Sequence, residues 1–505
     1  MEDHNFMRKI GIRILSALVA IMTLTAAFVS CSDNEKNEES ESLTSTEKVT
    51  GDVIDKEEDK YDSNGFIKDE LPDNLSTDLK EVSILYWSDA ENREYEIDSL
   101  SNGDGINNAL YYRNAAVSTR MGVELAFEGV GGNYNNCEKF ITSLTTAVNA
   151  GKAYDIVSAY SMVMSVCARD GLLVDMSDTY IDLEKPWWPS SLTESCRIGD
   201  ALYFNSGDAS INTLYMMYCC YFNATMLDQY HSDVDIYELV RQGDWTYEKM
   251  VELMKDVVSN STRDPKTDTF GMIGASLYSS TLLEGFGFSE IDVVDGELTV
   301  SADYESSIVE QMITEIQNMF NSDYAVMGAT ADVRDGFNTG RSLFAILYAD
   351  QAAKRFSKNT QLTYGVVPMP KLEKTQESYI TPVANPSSFY GISSSSKDPM
   401  FVSAVLECWA SESYRRVSPE LFEKSFKLKY SEGSDNAQMY DYIRDGMRFN
   451  TARLYTLASG KQIKPFTLVP TVDGTTVNWL TYTASVKGPM ELALRELNVA
   501  FKNIQ

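Results

Sequence analysis

Apolar and polar positions along residues 81–160 follow two alternating periodicities. The runs "EVSILYWS" (81–88), "VELAFE" (123–128) and "YDIVSAY" (154–160) are short, apolar and rich in β-branched and aromatic residues, which predicts buried strands. Between them, "INNALYYRNAAVSTRMG" and "CEKFITSLTTAVNAG" (137–151) have helical spacing and end on glycine, which predicts helices with a glycine stop. The order strand, helix, strand, helix, strand predicts an α/β fold with parallel strands.

The pattern is less regular after residue 160. "DALYFNSGDASINTLYMMYCCYFN" (200–223) predicts strands around a polar turn. "DWTYEKMVELMKDVVSN" (244–260) predicts an amphipathic helix with Asp244 or Thr246 as its N-cap. Three further helices are predicted, at 305–321, at 399–414 and from Pro489 to the C-terminus.

The N-terminal region has the pattern of a secretory signal. Basic residues up to Arg13 precede sixteen uncharged residues, 14–29, which is shorter than the about 20 apolar residues of a membrane span. The motif "FVSC", which ends at Cys31, resembles a bacterial lipobox, in which the cysteine becomes the lipidated first residue of the mature protein. We therefore predict a signal peptide over 1–30 and lipidation (palmitate) at Cys31; an ordinary cleaved signal with a nearby cysteine is the alternative.

The segment that follows the cysteine is acidic. Residues 32–80 hold sixteen Asp and Glu against six Lys, and their aromatic residues are only Tyr61 and Phe66. Such a composition buries too little apolar surface to offset the entropy of ordering the chain. We predict that 31–80 is the lipidated cysteine plus a disordered acidic tether.

Composition narrows the function of the rest of the chain. With a net charge of −31 and a pI of about 4.4, the chain lacks the basic footprint that nucleic acids or anionic lipids require. After Cys31 there are six cysteines without a C-x-x-C pair, which favours buried free thiols and leaves a disulfide open. Only two histidines occur in the chain, so histidine-based catalysis and zinc sites are disfavoured. We predict no cofactor and no metal.

Several fragments, in their order and spacing, resemble one family: the extracellular solute-binding lipoproteins of bacterial ATP-binding-cassette (ABC) importers, of the carbohydrate-binding, family 1-like type. Besides the lipobox and tether, they are "GKAYDIVSAY…RDGLLVDMSD" (151–178), "GDALYFNSGDASINTLYMMYCCYFN" (199–223), "GDWTYEKMVELMKDV" (243–257), "FNTGRSLFAILYAD" (337–350) and "YGVVPMPKLEKTQESYITPV" (364–383).

The resemblance implies a periplasmic-binding-protein-like fold of two α/β lobes, with hinge crossings near 207–211, 346–352 and 391–397. The implied N-lobe comprises residues 81–208 and 350–393. The implied C-lobe comprises residues 209–349 and 394–505. Such proteins are monomers that trap solute by hinge closure and deliver it to an ABC permease. They catalyse no reaction, so the resemblance implies that this chain is not an enzyme. The implied location is the extracytoplasmic face of the cell membrane, with the lipid anchor as the only membrane contact.

Candidate ligand contacts follow from the carboxyl-end rule for strands, from the predicted crossings and from the resemblance. A sugar requires carboxylates or amides for its hydroxyls and aromatic rings for its C–H faces. The candidates are Trp87, Ser88, Asp89, Tyr160, Ser161, Asp208, Ser210, Tyr348, Asp350, Asp473, Asn478 and Trp479. The expected ligand is a neutral saccharide, specifically an oligosaccharide, because the four aspartates would repel an anion.

Three alternatives stay open. The solute could be a peptide or another polar molecule, and the protein could serve a sensor kinase instead of an importer. A secreted glycoside hydrolase is a remote alternative, since two carboxylates suffice for that chemistry.

Overall fold

The computed structural model describes residues 60–95, 105–152, 154–259, 262–430, 433–466 and 478–504. Cys31 and Asp473 lie outside these residues, so the predictions made for them stay predictions. The strands are β1 (Glu81–Trp87), β2 (Glu124–Val130), β3 (Ile156–Tyr160), β4 (Tyr218–Asn223), β5 (Val258–Ser259), β6 (Thr269–Gly274), β7 (Ile291–Val294), β8 (Glu297–Val300), β9 (Ala325–Met327), β10 (Ser342–Tyr348), β11 (Tyr364–Val367), β12 (Thr381–Pro382), β13 (Ser388–Ile392) and β14 (Met447–Arg448).

Helices connect most of these strands. They are α1 (Gly105–Met121), α2 (Cys137–Asn149), α3 (Ser161–Arg169), α4 (Ser190–Thr193), α5 (Ile211–Tyr215), α6 (Ala224–His231), α7 (Ile236–Arg241), α8 (Tyr247–Lys255), α9 (Ser276–Ser279), α10 (Thr281–Gly285), α11 (Ser307–Phe320), α12 (Thr330–Asn338), α13 (Asp350–Lys354), α14 (Pro399–Glu412), α15 (Gly433–Asp445), α16 (Thr451–Tyr455) and α17 (Trp479–Lys502). Two π-helical segments, Ser413–Val417 and Pro419–Lys429, follow α14.

The predicted β1-α1-β2-α2-β3 order is confirmed, and these strands form the first sheet. Its strand order is β13-β3-β1-β2, in which β1 pairs in parallel with both β2 and β3. β13 comes from much later in the chain and pairs antiparallel with β3, from Ser388 opposite Tyr160 to Ile392 opposite Ile156. β1 and β3 are apolar because both strands lie inside the sheet and are covered by helices.

The second sheet has the order β11-β4-β10-β6-β5, with β9 paired to β6. β10 runs parallel to β6 and antiparallel to β4. The predicted lobe boundaries differ from this pairing at several segments, of which β11 and α14 are examples. β11 was assigned to the N-lobe but pairs with β4, and α14, assigned to the C-lobe, packs against α1 and β13 of the first sheet.

The chain passes between the sheets in 206–217 and again in 368–387. Asn205 still bridges to Tyr390 of β13, whereas Tyr218 begins β4. The predicted crossing near 207–211 lies within the first passage. The crossings predicted near 346–352 and 391–397 are wrong, because β10 and β11 belong to the same sheet and the residue after β13, Ser393, bridges back to Leu173.

The predicted tether is wrong over its C-terminal part, because part of 62–80 packs against the folded chain. Leu71 is buried in the core. Both carboxylate oxygens of Asp69 accept hydrogen bonds of 2.6 Å from Arg120, and Ser411 donates to the same carboxylate at 2.6 Å. These bonds hold the pKa of Asp69 below its usual value despite burial, which by itself raises it. Arg120, which lies outside the segment, thus neutralises the charge of Asp69, whereas composition alone predicts that this charge is solvated.

The C-terminal helix begins ten residues earlier than predicted. α17 starts at Trp479 and contains Pro489 inside it, whereas the sequence placed Pro489 at its first turn. Asn478 caps the helix, since its Oδ1 accepts a hydrogen bond of 2.9 Å from the Thr481 amide. In α8 the cap is Thr246, one of the two predicted candidates.

The doublet Trp187–Trp188 is buried beneath helix α14. Both indole N–H groups donate to Glu407, from Trp187 at 2.9 Å and from Trp188 at 2.7 Å. The two rings are 0% and 1% exposed, so they are part of the core. Burial of the carboxyl raises the pKa of Glu407 to about 7, although the two indole bonds lower it.

This raised pKa predicts a pH dependence of stability. Because the pKa of Glu407 in the folded protein exceeds the usual 4.5, the native protein binds more protons than the unfolded chain between pH 4.5 and about pH 7. The stabilisation that the protonated Glu407 carboxyl provides is complete below about pH 4.5 and is lost as the pH rises through about 7. We expect a lower melting temperature at pH 8 than at pH 6, and a smaller difference in Glu407→Gln. An equal difference in wild type and variant would contradict the assignment.

Candidate ligand-binding site

Aromatic rings meet at the edge of the first sheet where its parallel strands end. β1 ends at Trp87 and β3 ends at Tyr160, and β13 begins at Ser388 opposite Tyr160. The Trp87 and Tyr160 rings pack edge to face, with centroids 5.4 Å apart. Ligands of open α/β sheets bind just outside the carboxyl ends of the strands. This edge therefore forms one wall of the candidate site.

The corresponding edge of the second sheet carries three tyrosines, Tyr218, Tyr278 and Tyr348, which we call the tyrosine cluster. Tyr348 ends β10 and pairs with Tyr218, the first residue of β4, and Tyr278 lies on α9, just after β6. The Tyr348 ring centroid lies 4.9 Å from that of Tyr218 and 5.5 Å from that of Tyr278. Tyr348 is half-buried and the other two are buried. Tyr348 thus presents the most accessible ring of this wall.

A buried ion pair borders the tyrosine cluster. Arg453, on α16, donates from Nη2 to the carboxylate of Glu284 on α10, and the side chains are 10% and 8% exposed. Burial raises the pKa of the Tyr218 hydroxyl, and the nearby charge of Arg453 lowers it in part. The arginine is therefore held beside Tyr218 with its charge balanced by Glu284.

The two walls lie close together. Tyr160 belongs to the first sheet, and burial raises the pKa of its hydroxyl. Glu91 and Tyr218 raise this pKa further, whereas Arg453 lowers it. Because Tyr218 belongs to the opposite wall, both walls contribute to the surroundings of Tyr160. Helix α3, which begins just after Tyr160, also contacts α16, where Ser165 donates to a backbone carbonyl at 2.6 Å.

Two buried polar atoms of the site have no hydrogen-bond partner of good geometry within the described part of the chain. They are the Tyr218 hydroxyl oxygen and Arg453 Nε, although Tyr348 and Arg453 lie near enough to the Tyr218 hydroxyl to lower its pKa in part. Leaving such a group unpaired costs about 1–3 kcal/mol. A ligand that offers hydroxyl or ring oxygens at this place would recover that free energy, and the tyrosine rings would cover its C–H faces.

The predicted contact Asp89 holds a loop of the first wall. Its carboxylate accepts hydrogen bonds from the Gly132 amide (2.5 Å), the Asn133 amide (2.7 Å) and Asn136 Nδ2 (2.6 Å). All three donors belong to the turn that follows β2. The carboxylate is thus engaged by the protein, and direct contact with ligand stays a prediction.

Asp208 and Asp350 are likewise paired within the protein. Asp208 accepts a hydrogen bond of 2.5 Å from Ser418 and one of 3.1 Å from Arg444, while burial raises its pKa. Asp350 forms an ion pair with Lys354 on α13. These two aspartates, which were expected to repel an anionic ligand, therefore have cationic partners, so their repulsion no longer supports the choice of a neutral ligand.

The two predicted tryptophans are buried in this conformation. Trp87 is 0% exposed and donates its indole N–H to Ser388 Oγ at 2.9 Å. Trp479 is 2% exposed, donates to the Tyr304 carbonyl at 2.9 Å, and packs against the rings of Tyr304 and Phe466. Trp87 contacts the site through the ring of Tyr160. Trp479 packs in a different part of the core, against Tyr304 and Phe466.

The other predicted contacts have separate positions. Ser88 is exposed directly after β1, and Ser161, which begins α3, donates to a backbone carbonyl at 2.9 Å. Ser210 donates to the buried carboxylate of Glu94, and Asn478 caps α17. The structure therefore brings Tyr160 and Tyr348 into the facing walls, with Ser88 and Ser161 beside the first wall.

Sequence reasoning missed Tyr218, Tyr278, Arg453 and Glu284. Tyr278 follows β6 and obeys the carboxyl-end rule, so identifying "TFGMIG" as a strand would have indicated it. Tyr218 begins an antiparallel strand, where that rule gives no signal. Arg453 and Glu284 are 169 residues apart in the chain, and no local pattern connects them.

The fold has solved counterparts, although no family model and no curated protein matches the chain. A cyclo/maltodextrin-binding protein complexed with maltotetraose superposes with a TM-score of 0.53 at 15% identity, covering 85% of this chain and 98% of the other. An ABC substrate-binding protein from Listeria monocytogenes in complex with cycloalternan gives a TM-score of 0.47 at 14% identity, covering 84% of this chain and 99% of the other. The first likeness confirms the predicted fold class, the two-lobed periplasmic-binding-protein-like α/β fold.

Three further features concern only the described residues. No helix there is long and apolar enough to cross a membrane. No group of three or more His, Cys, Asp or Glu side chains there could hold a metal ion. The six cysteines of these residues are free and buried, as the first of the two sequence readings expected.

Proposed function

We propose that the protein is a lipid-anchored solute-binding protein that captures a neutral oligosaccharide between its two sheets and delivers it to an ABC importer. The observation that carries the proposal is the tyrosine cluster with its adjacent Arg453–Glu284 pair, which faces Tyr160 across the site. The fold likeness to a maltodextrin-binding protein supports the same class of ligand.

The chemistry of the site favours a neutral sugar. The Arg453 charge is balanced by Glu284, so this pair adds polar donors to the wall without adding a net charge, and Arg334 donates to the Tyr278 hydroxyl at 3.1 Å. Tyrosine rings stack on the C–H faces of a sugar, and a buried tyrosine hydroxyl and arginine Nε pair with its oxygens. Hinge closure about the passages 206–217 and 368–387 would enclose the ligand and present the closed form to the permease.

The cellular setting of the proposal rests on the N-terminal sequence. A lipid on Cys31 would retain the protein at the extracytoplasmic face of the membrane, as the only membrane contact. A monomer held by the acidic segment that follows Cys31 would stay close to its permease and still move freely enough to meet solute.

A ligand screen with a site variant tests the function. The panel contains linear malto-, cello- and xylo-oligosaccharides from mono- to hexasaccharide, with peptides and polyamines for comparison. We expect an oligosaccharide to raise the melting temperature, because ligand that binds only the native state stabilises it. Tyr348→Ala should weaken that binding by about 1–2 kcal/mol, or about 5- to 30-fold, through loss of one stacking ring.

Tyr112→Ala is the matched control, since Tyr112 is an exposed ring on α1, a helix that packs mainly against α14 and the π-helical segment Ser413–Val417. It should bind like wild type in calorimetry. Stabilisation by peptides or polyamines alone would contradict the saccharide proposal. Equal affinity of Tyr348→Ala and wild type would exclude the tyrosine cluster as the site.

A further inference from the structure

The turn after β2 places an exposed aromatic ring at the edge that forms the first wall. β2 ends at Val130, which pairs with Trp87, so residues 131–136 follow the carboxyl end of a parallel strand beside the candidate site. Tyr134, within this turn, is 58% exposed. A single exposed tyrosine is ordinary on a protein surface. Tyr134 differs because the loop that carries it is fixed in place.

Hydrogen bonds and close packing hold the loop. The Asp89 carboxylate accepts from the amides of Gly132 and Asn133 and from Asn136, all within 2.7 Å. A Cβ added at Gly132 would lie 2.9 Å from Trp87 Cβ and from a ring carbon of Phe140. The backbone therefore approaches the first sheet as closely as glycine permits, and the ring of Tyr134 is carried on a rigid support.

The loop borders the surroundings of Tyr160. Cys137, the residue directly after the loop, lies near enough to raise the pKa of the Tyr160 hydroxyl. The ammonium of Lys461 lies 5.9 Å from the Tyr134 ring centroid, on the segment that follows α16, the helix that carries Arg453. Tyr134 is 58% exposed whereas Tyr160 is 5% exposed, so Tyr134 offers an accessible ring in the loop that borders the buried residues of the first wall.

We propose that Tyr134 is an outer stacking residue, which binds sugar units beyond those held at the tyrosine cluster, and that Asp89 is its positioning residue. The inference rests on the proposed function and adds that the site selects saccharides by length. A short ligand is held by the inner residues alone. A longer one extends outwards and covers the Tyr134 ring with the C–H face of a later unit.

Chain-length dependence tests the role of Tyr134. Calorimetry is carried out with the shortest and with longer members of the oligosaccharide series that binds wild type. We expect Tyr134→Ala to lower affinity about tenfold for tetrasaccharide and longer ligands, the effect of one lost aromatic contact, and to leave the shortest ligand unaffected. Tyr112→Ala, a similarly exposed ring on α1, should change neither affinity.

A double-variant cycle tests the role of Asp89. Introduced into the wild-type chain, Asp89→Ala should weaken binding of long ligands. Introduced into Tyr134→Ala, it should weaken their binding little further, because both changes remove the same contact. Asp89→Asn, which retains an oxygen for the backbone amides, should restore most of the affinity. A merely structural role would instead lower the melting temperature and weaken binding of every ligand length equally.

The outcomes separate this inference from the proposed function. If Tyr348→Ala weakens binding while Tyr134→Ala leaves long ligands unaffected, the outer contact is excluded and the proposed function stands. If Asp89→Ala also weakens the shortest ligand by the same factor, Asp89 contacts the ligand directly and the positioning role is wrong. If no member of the panel binds wild type, both the proposed function and the inference fail.

Discussion

Trp188→Ala is expected to lower the free energy of unfolding by about 3–5 kcal/mol, the usual cost of truncating a buried tryptophan. The ring is 1% exposed, so its removal leaves a cavity in a close-packed region. It also removes the indole N–H that donates to Glu407 at 2.7 Å, which leaves a buried carboxyl with one partner fewer. Urea unfolding of wild type and variant measures the difference directly.

A second substitution separates packing from hydrogen bonding. Trp188→Phe retains a ring but removes the N–H, and should cost less, about 1–3 kcal/mol, because Glu407 Oε2 then keeps only the longer bond of 3.3 Å from the Asp182 amide. Tyr112→Ala, an exposed position, should stay within about 0.5 kcal/mol of wild type. A loss below about 1 kcal/mol in Trp188→Ala would show that the doublet is not part of a tightly packed core.

Much of the first sheet could be predicted from the sequence because its signals are local. Strands β1 and β3 are continuous apolar runs, and helices α1 and α2 are followed by glycines at 122 and 151 with positive φ. Each feature lies within a few residues of the element it defines. The predicted and observed boundaries of these elements agree to within two residues.

The assignment of later segments to a sheet could not be predicted in the same way. β11 and β13 are both short apolar strands, "YGVV" and "SFYGI", yet β11 joins the second sheet and β13 the first. Their partners, β4 and β3, lie more than 140 residues earlier in the chain. Such pairing depends on long-range packing, and residue pattern within the strand carries no information about it.

Residue type alone also failed to separate ligand contacts from structural residues. The sequence indicated aspartates and tryptophans, which are residue types that bind sugars. In the structure Asp208 and Asp350 are paired with Arg444 and Lys354, and Trp479 packs in the core. A tyrosine–arginine wall assembled from four distant segments takes their place in the proposed site. Its members could be found only once the sheets had been placed.

Arg453→Met is expected to lower both the stability of the protein and its affinity for ligand. It leaves the Glu284 carboxylate buried, with a side chain 8% exposed, and without its cation. Removing one partner of a buried ion pair typically costs about 3–5 kcal/mol. The variant also loses the donor beside Tyr218, so saccharide affinity should fall by about 10- to 150-fold, as for a hydrogen bond to a charged group. Urea unfolding and calorimetry with the best oligosaccharide measure the two effects.

The double variant Arg453→Met/Glu284→Leu separates the two consequences. Replacing both partners by apolar residues removes the unpaired carboxylate, so most of the lost stability should return. Affinity should not return, because the donor that meets the ligand is still absent. If the double variant regains wild-type affinity, Arg453 acts only through the stability of the lobe and does not touch the ligand. If Arg453→Met is as stable as wild type, the ion pair is accessible to water, and its description as a buried pair beside Tyr218 is wrong.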